Sequence, residues 1–95
     1  MDRNGYNDSL FVTEHGKCYI CHRHIDTARH EVLHGPNRQL SKKYGLWINV
    51  CPSCHTRVHA EDNGRYRYLK ELAQIKFEVV YPEKDFLTIF GRRYI

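Results

Sequence analysis

The chain has no run of about 18 apolar residues, and its opening, MDRNGYNDSL, carries no apolar core of the kind a secretory leader needs. A membrane span and classical secretion are therefore not expected. It also lacks a Gly-X-Y period, a heptad pattern and any repeat of roughly 20–50 residues, which excludes collagen, coiled-coil and solenoid architectures. Apolar material is limited: 95 residues, 41% of them hydrophobic, leave room for one domain, and a chain this short buries only about 60–65% of its unfolded surface. A core this thin calls for a staple. The excess of one charge sign is modest, 15 Lys and Arg against 11 Asp and Glu for a net +4, with seven histidines able to add positive charge below about pH 6.5. Such a chain approaches polyanions readily, although many basic domains bind none.

What is present divides the chain. Met1–Ser9 is polar and rich in Gly, Asn and Asp, and reads as a flexible terminus; residues 10–95 read as a single domain, with a metal-binding core over 10–62 and C-terminal helices over 63–95. Leu10–Thr13 reads as a short strand, and His15-Gly16-Lys17 as the turn that delivers the chain to Cys18. His30–Leu33 fits a strand that Gly35-Pro36-Asn37 breaks, Leu40–Gly45 a short helix, and Leu46–Val50 a second strand bounded by Gly45 and Pro52. A helix from Ser53 carries Cys54, His55 and His59 and is punctuated by Asp62-Asn63-Gly64. The absence of Gly and Pro between Arg65 and Tyr81 predicts a helix of about four turns, ended by Pro82. A last short helix spans Asp85–Phe90 and stops at Gly91. The fold class is α+β.

Cys18-x-x-Cys21 and Cys51-x-x-Cys54 are two knuckles of the kind that complete a tetrahedral four-thiolate zinc site. The alternative, two disulfides, is disfavoured because a two-residue gap strains an internal bridge and nothing here points to an oxidising compartment. A closed four-cysteine site has no open position, so its zinc is structural, and its binding energy doubles as folding energy. His55 and His59 are four apart and on a helix project from one face, the geometry a second metal needs. Read without a second metal, they are ordinary polar residues of an exposed helix, or His55 stands in for a cysteine at the zinc. His30 joins them because its strand lies between the two knuckles.

Taken together, Cys-x-x-Cys, a His-containing dipeptide followed by an aliphatic residue and then Gly, and Cys-x-x-Cys-His-x-x-x-His resemble the zinc-stapled HNH nucleases of the ββα-metal type. The stretch from His30 through Glu31, Val32, Leu33, His34, Gly35, Pro36 and Asn37 to Arg38, with Ser41 and Lys43-Tyr44-Gly45-Leu46, is similar to the small HNH proteins of bacteriophages and prophages. That similarity runs on through Phe86–Gly91 and Tyr94 and covers most of the chain from Leu10. The resemblance implies a zinc-clamped β-hairpin packed on a helix with a C-terminal helical extension. It implies hydrolysis of DNA phosphodiester bonds with one catalytic divalent ion, Mg2+, Mn2+ or another metal that histidines accept, in the cytoplasm of a bacterial host.

In that family the first member of the dipeptide binds the metal and the second is the general base. Matched through Val32, His30 becomes a ligand with His55 and His59, and Glu31 stands at the base position. The chain departs from the pattern here, since a carboxylate titrates near pH 4.3, by roughly its ordinary value, and is a weaker base than imidazole near neutrality. Three arrangements stay open: His30 is the base and Glu31 a ligand, His34 supplies the base, or the site is inactive. The family's middle asparagine falls on Leu46, leaving Asn37 or Asn49 as candidates for its loop-fixing role.

Arg38, Lys42 and Lys43 form a short basic cluster, and Arg57 shares a helix with the histidines. In a nuclease these residues neutralise DNA phosphates; in a bland domain they are a solvated face. The rival to the nuclease is a non-catalytic zinc module that binds nucleic acid or a protein partner, and a third reading is an HNH fold that keeps DNA binding without cleavage.

Overall fold

The computed structural model describes residues 1–95. Its elements are strand β1 (Ala28–Glu31), a 3-10 turn at Gly35–Asn37, helix α1 (Arg38–Lys43), strand β2 (Trp47–Val50), and helices α2 (Pro52–Ala60), α3 (Arg67–Val80) and α4 (Phe86–Phe90). The result is a small α+β fold with one two-stranded antiparallel sheet, in which His30 faces Ile48 and Glu31 faces Trp47 across the ladder. No helix is long and apolar enough to cross a membrane.

β2 is buried along its whole length, and its Ile48 and Val50 suit a pleated core strand. Val32 extends the pairing one step past β1, its N–H donating to Leu46 O at 2.9 Å. α2 starts where Pro52 supplies a pre-set φ and needs no amide partner, with Cys51 as its N-cap. In α3, Leu69, Ala73 and Phe77 recur every fourth residue and make one buried stripe. α4 is capped at both ends: Asp85 accepts from Thr88 N at 3.2 Å, and Gly91 turns left-handed at φ 84°. Phe86 and Phe90 stack at 4.5 Å and, with Phe77 and Tyr44, form an aromatic cluster that joins α3, α4 and α1 into the core.

Three expectations change. Leu10–Thr13 is not a strand; it bends, and Thr13 Oγ1 accepts from Asn49 N at 2.9 Å. The strand expected at 30–33 lies at 28–31 because Gly35 and Pro36 pull the following residues into a turn around Ser41, whose hydroxyl accepts from Leu33 N at 3.1 Å and donates to Leu33 O. Met1–Ser9 is pinned rather than loose. Asn7 N donates to Lys42 O, Trp47 Nε1 donates to Asn7 O, and Asp2 pairs with Arg29 at 2.6 Å. Gly45, at φ 73°, allows this docking, because a Cβ there would stand 2.2 Å from Asp8 O.

Candidate metal centre

The first knuckle is a tight turn in which His22 N donates to Cys18 O at 2.9 Å and Cys21 N to Cys18 Sγ at 3.5 Å. Closing it puts His22 at φ 65°, a left-handed conformation that costs a side chain about 1–2 kcal/mol. The second knuckle opens α2, so Cys51 and Cys54 lie at a helix N-terminus, where a thiolate is favoured. All four sulfurs fall within 4.8 Å of one another, and Cys21 Sγ is 3.9 Å from Cys51 Sγ. Sulfurs about 2.3 Å from a tetrahedral zinc are spaced by about 3.8 Å, so the donor set fits a closed structural metal site. Arg23 leans on it, with Nε 3.5 Å from Cys21 Sγ and Nη2 3.9 Å from Cys51 Sγ. That hydrogen bond brings the Cys21 thiol down to about 6, whereas burial pushes Cys54 up to about 12. Metal capture at the buried thiols must therefore expel protons.

The second cluster is nitrogen-based. Strand alternation turns His30 inward, 2% exposed, towards α2, which packs on β1 and presents His55 and His59 one turn apart. One nitrogen from each of the three rings lies within 4.8 Å of the others, and the Nε2 atoms of His55 and His59 are 3.1 Å apart. Nitrogens about 2.1 Å from one ion are separated by about 3.0–3.4 Å, so this trio also fits a metal. Burial, then the neighbouring imidazoles, lowers His30 to about 3, and burial lowers His55. Both rings are thus neutral at pH 7 and keep a free lone pair, the form in which imidazole ligates.

No family model, curated protein or solved structure matches the chain. The reading of the site therefore stands on its geometry.

Glu31 does not join the histidines. It follows His30 in β1 and so points to the opposite face, where it accepts from Arg38 Nε at 2.6 Å. His34 does come close, its ring 5.3 Å from that of His59 and 5.9 Å from that of His30. Its Nε2 lies 2.9 Å from Asp62 Oδ2, although the N–H is not aligned on that oxygen. Asp62 in turn accepts from Lys70 Nζ at 3.1 Å. Burial would raise the Asp62 carboxyl, but the hydrogen bond and charge of Lys70, with His34, outweigh it and hold the group low.

Of the basic candidates, Arg38 and Lys42 line one polar cleft of about 580 Å³ together with Arg29 and Tyr6. Lys43 Nζ instead sits over the Tyr44 ring, and Arg57 is exposed on α2. Neither asparagine candidate reaches the histidines by hydrogen bond: Asn37 Nδ2 donates to Phe90 O, and Asn49 Nδ2 to Thr13 Oγ1. Leu46 is core. Sequence reading missed Asp62 and Lys70, the first because Asp62-Asn63-Gly64 looks like mere punctuation. The one available signal was Lys70 beside Leu69 and one turn before Gln74, a charge on the buried face of α3.

Proposed function

We propose that the protein is a metal-dependent DNA endonuclease of the ββα-metal, HNH-like type, with a structural zinc at Cys18, Cys21, Cys51 and Cys54. The observation that carries this reading is the convergence of His30, His55 and His59 as a second donor set, chemically distinct from the thiols. Three imidazole nitrogens leave coordination positions free, unlike the closed cysteine set. Once bound there, a divalent ion supplies Lewis acidity to a phosphodiester oxygen and to the leaving oxygen.

The remaining chemistry belongs to side chains. With Glu31 tied to Arg38, the base role passes to His34, which stands beside the trio with Nε2 turned to Asp62. Its other nitrogen, Nδ1, takes a proton from water as the water oxygen bonds to phosphorus and the P–O bond to the leaving oxygen breaks; solvent reprotonates that oxygen. Arg38 and Lys42 supply positive charge for the DNA backbone.

The test is plasmid cleavage by purified protein across a panel of divalent metals. His55→Ala and His59→Ala should abolish cutting while the zinc-held fold persists, and His34→Ala should cost roughly 10²–10⁴-fold in rate with Glu31→Gln close to wild type. If wild type cuts with no metal offered, the nuclease reading fails. The replacement of the family's base histidine by Glu31 favours, as second reading, a DNA-binding HNH fold without cleavage.

A further inference from the structure

Lys70 is a charged residue only 8% exposed, on α3, which contributes no residue to either cluster. A buried ammonium is retained only where it is paired and hydrogen-bonded. Its partners are Asp62 Oδ2 at 3.1 Å and Asn63 Oδ1 at 2.9 Å. The same Asp62 oxygen faces His34 Nε2 at 2.9 Å, and the His34 ring abuts those of His59 and His30. A continuous line of side chains thus runs from α3, through the turn after α2, to the loop after β1, and ends at the histidine trio.

We propose that Asp62, fixed by Lys70, is the positioning residue for His34. An imidazole beside a metal set has two usable nitrogens, and the partner of one decides what the other does. Asp62 Oδ2, 2.9 Å from Nε2, is placed to accept its N–H once the ring aligns, which keeps His34 out of the ligand set and leaves Nδ1 as the nitrogen available to water or substrate. Lys70 makes the carboxylate a fixed point, since an oxygen already holding an ammonium on α3 cannot swing into the metal site. The misaligned 2.9 Å contact is of the kind that tightens when a site is filled. This role rests on the nuclease reading for its catalytic consequence, but not for the contact itself.

The experiment uses the full chain with one zinc bound and the histidine trio loaded or left empty. Proton NMR of the wild type should show one slowly exchanging imidazole N–H far downfield of the amides, assigned by its loss in His34→Gln. Asp62→Ala should lose that resonance, and Asp62→Asn, which keeps an oxygen acceptor, should retain it at a less downfield position. Should Asp62→Ala fold poorly because it strands Lys70, the Asp62→Ala/Lys70→Met double variant carries the same expectation. Mn2+ affinity at the histidines should stay within about twofold, because Asp62 is no ligand, while kcat for plasmid cutting falls roughly 10–100-fold with KM little changed. Absence of the resonance in wild type, its survival in Asp62→Ala, or a parallel fall in Mn2+ affinity overturns the proposal. If the resonance behaves as expected but wild type cuts DNA with no metal, the nuclease reading falls and the Asp62–His34 positioning contact is upheld.

Discussion

Stripping the metal from the cysteine cluster should unfold the protein, and the structure sets the scale of the effect. The sheet has two strands of four residues each, and an isolated two-stranded sheet is marginal in water. Cys18, Cys51 and Cys54 belong to the main hydrophobic cluster, so a metal held there would tie the first knuckle, the end of β2 and the start of α2 directly into the core. Structural zinc contributes on the order of 10–16 kcal/mol of apparent binding free energy at neutral pH, against a net stability of about 5–15 kcal/mol for a typical domain. The two ranges overlap, so losing the first removes most or all of the second. Cys51→Ser removes one of four thiolates and leaves the site open to water, and it should leave most of the chain unfolded at 25 °C. The assay is far-UV and near-UV circular dichroism during titration with a strong zinc chelator, beside metal analysis of wild type, which should give about one zinc per chain after dialysis against metal-free buffer and before any chelator is added. Wild type that is metal-free yet melts cooperatively at the temperature of the zinc-loaded form would refute the reasoning.

Further outcomes follow from the same contacts. The folded-state value of His30, about 3, lies below its unfolded value of 6.5, so the unfolded chain binds the extra proton between those pH values. Stability from neutral His30 is therefore complete above pH 6.5 and declines as pH falls towards 3, by about 1.4 kcal/mol per pH unit at most. Urea melts of wild type against His30→Leu, with zinc bound and the trio empty, should diverge on acidification; parallel curves contradict the assignment. Gly45→Ala forces a Cβ to within 2.2 Å of Asp8 O at φ 73° and should cost about 1–3 kcal/mol, with proteolysis of the released N-terminal segment as a second readout. Unchanged stability and protection would mean that the segment is not pinned through Gly45. Arg38→Ala should weaken DNA binding uniformly across sequences and reduce the slope of log K against log salt by about 1, whereas an unchanged slope removes Arg38 from the DNA contacts.

Local chemistry was legible along the chain because it depends on spacing alone. Two-residue gaps between cysteines confine their sulfurs whatever the rest of the chain does, and the four-residue gap from His55 to His59 needs only the helix that Pro52 starts. The stretch from Arg65 to Tyr81, free of Gly and Pro, placed α3 to within two residues at its start and one at its end, since the absence of helix breakers is a local property. What the tertiary structure alone decided is which of these parts meet. Register and pleat sent His30 to the face of His55 and His59 and Glu31 to Arg38, a distinction of one residue that spacing arguments cannot make when the strand itself starts two residues earlier than expected. His34, Asp62 and Lys70 are 28 and 8 residues apart in sequence, and no periodicity links a loop, a turn and a helix. They meet because burial of Leu69, Ala73 and Phe77 docks α3 beside the cysteine-clamped core, and a charged side chain on that buried stripe is stable only where a carboxylate is waiting for it.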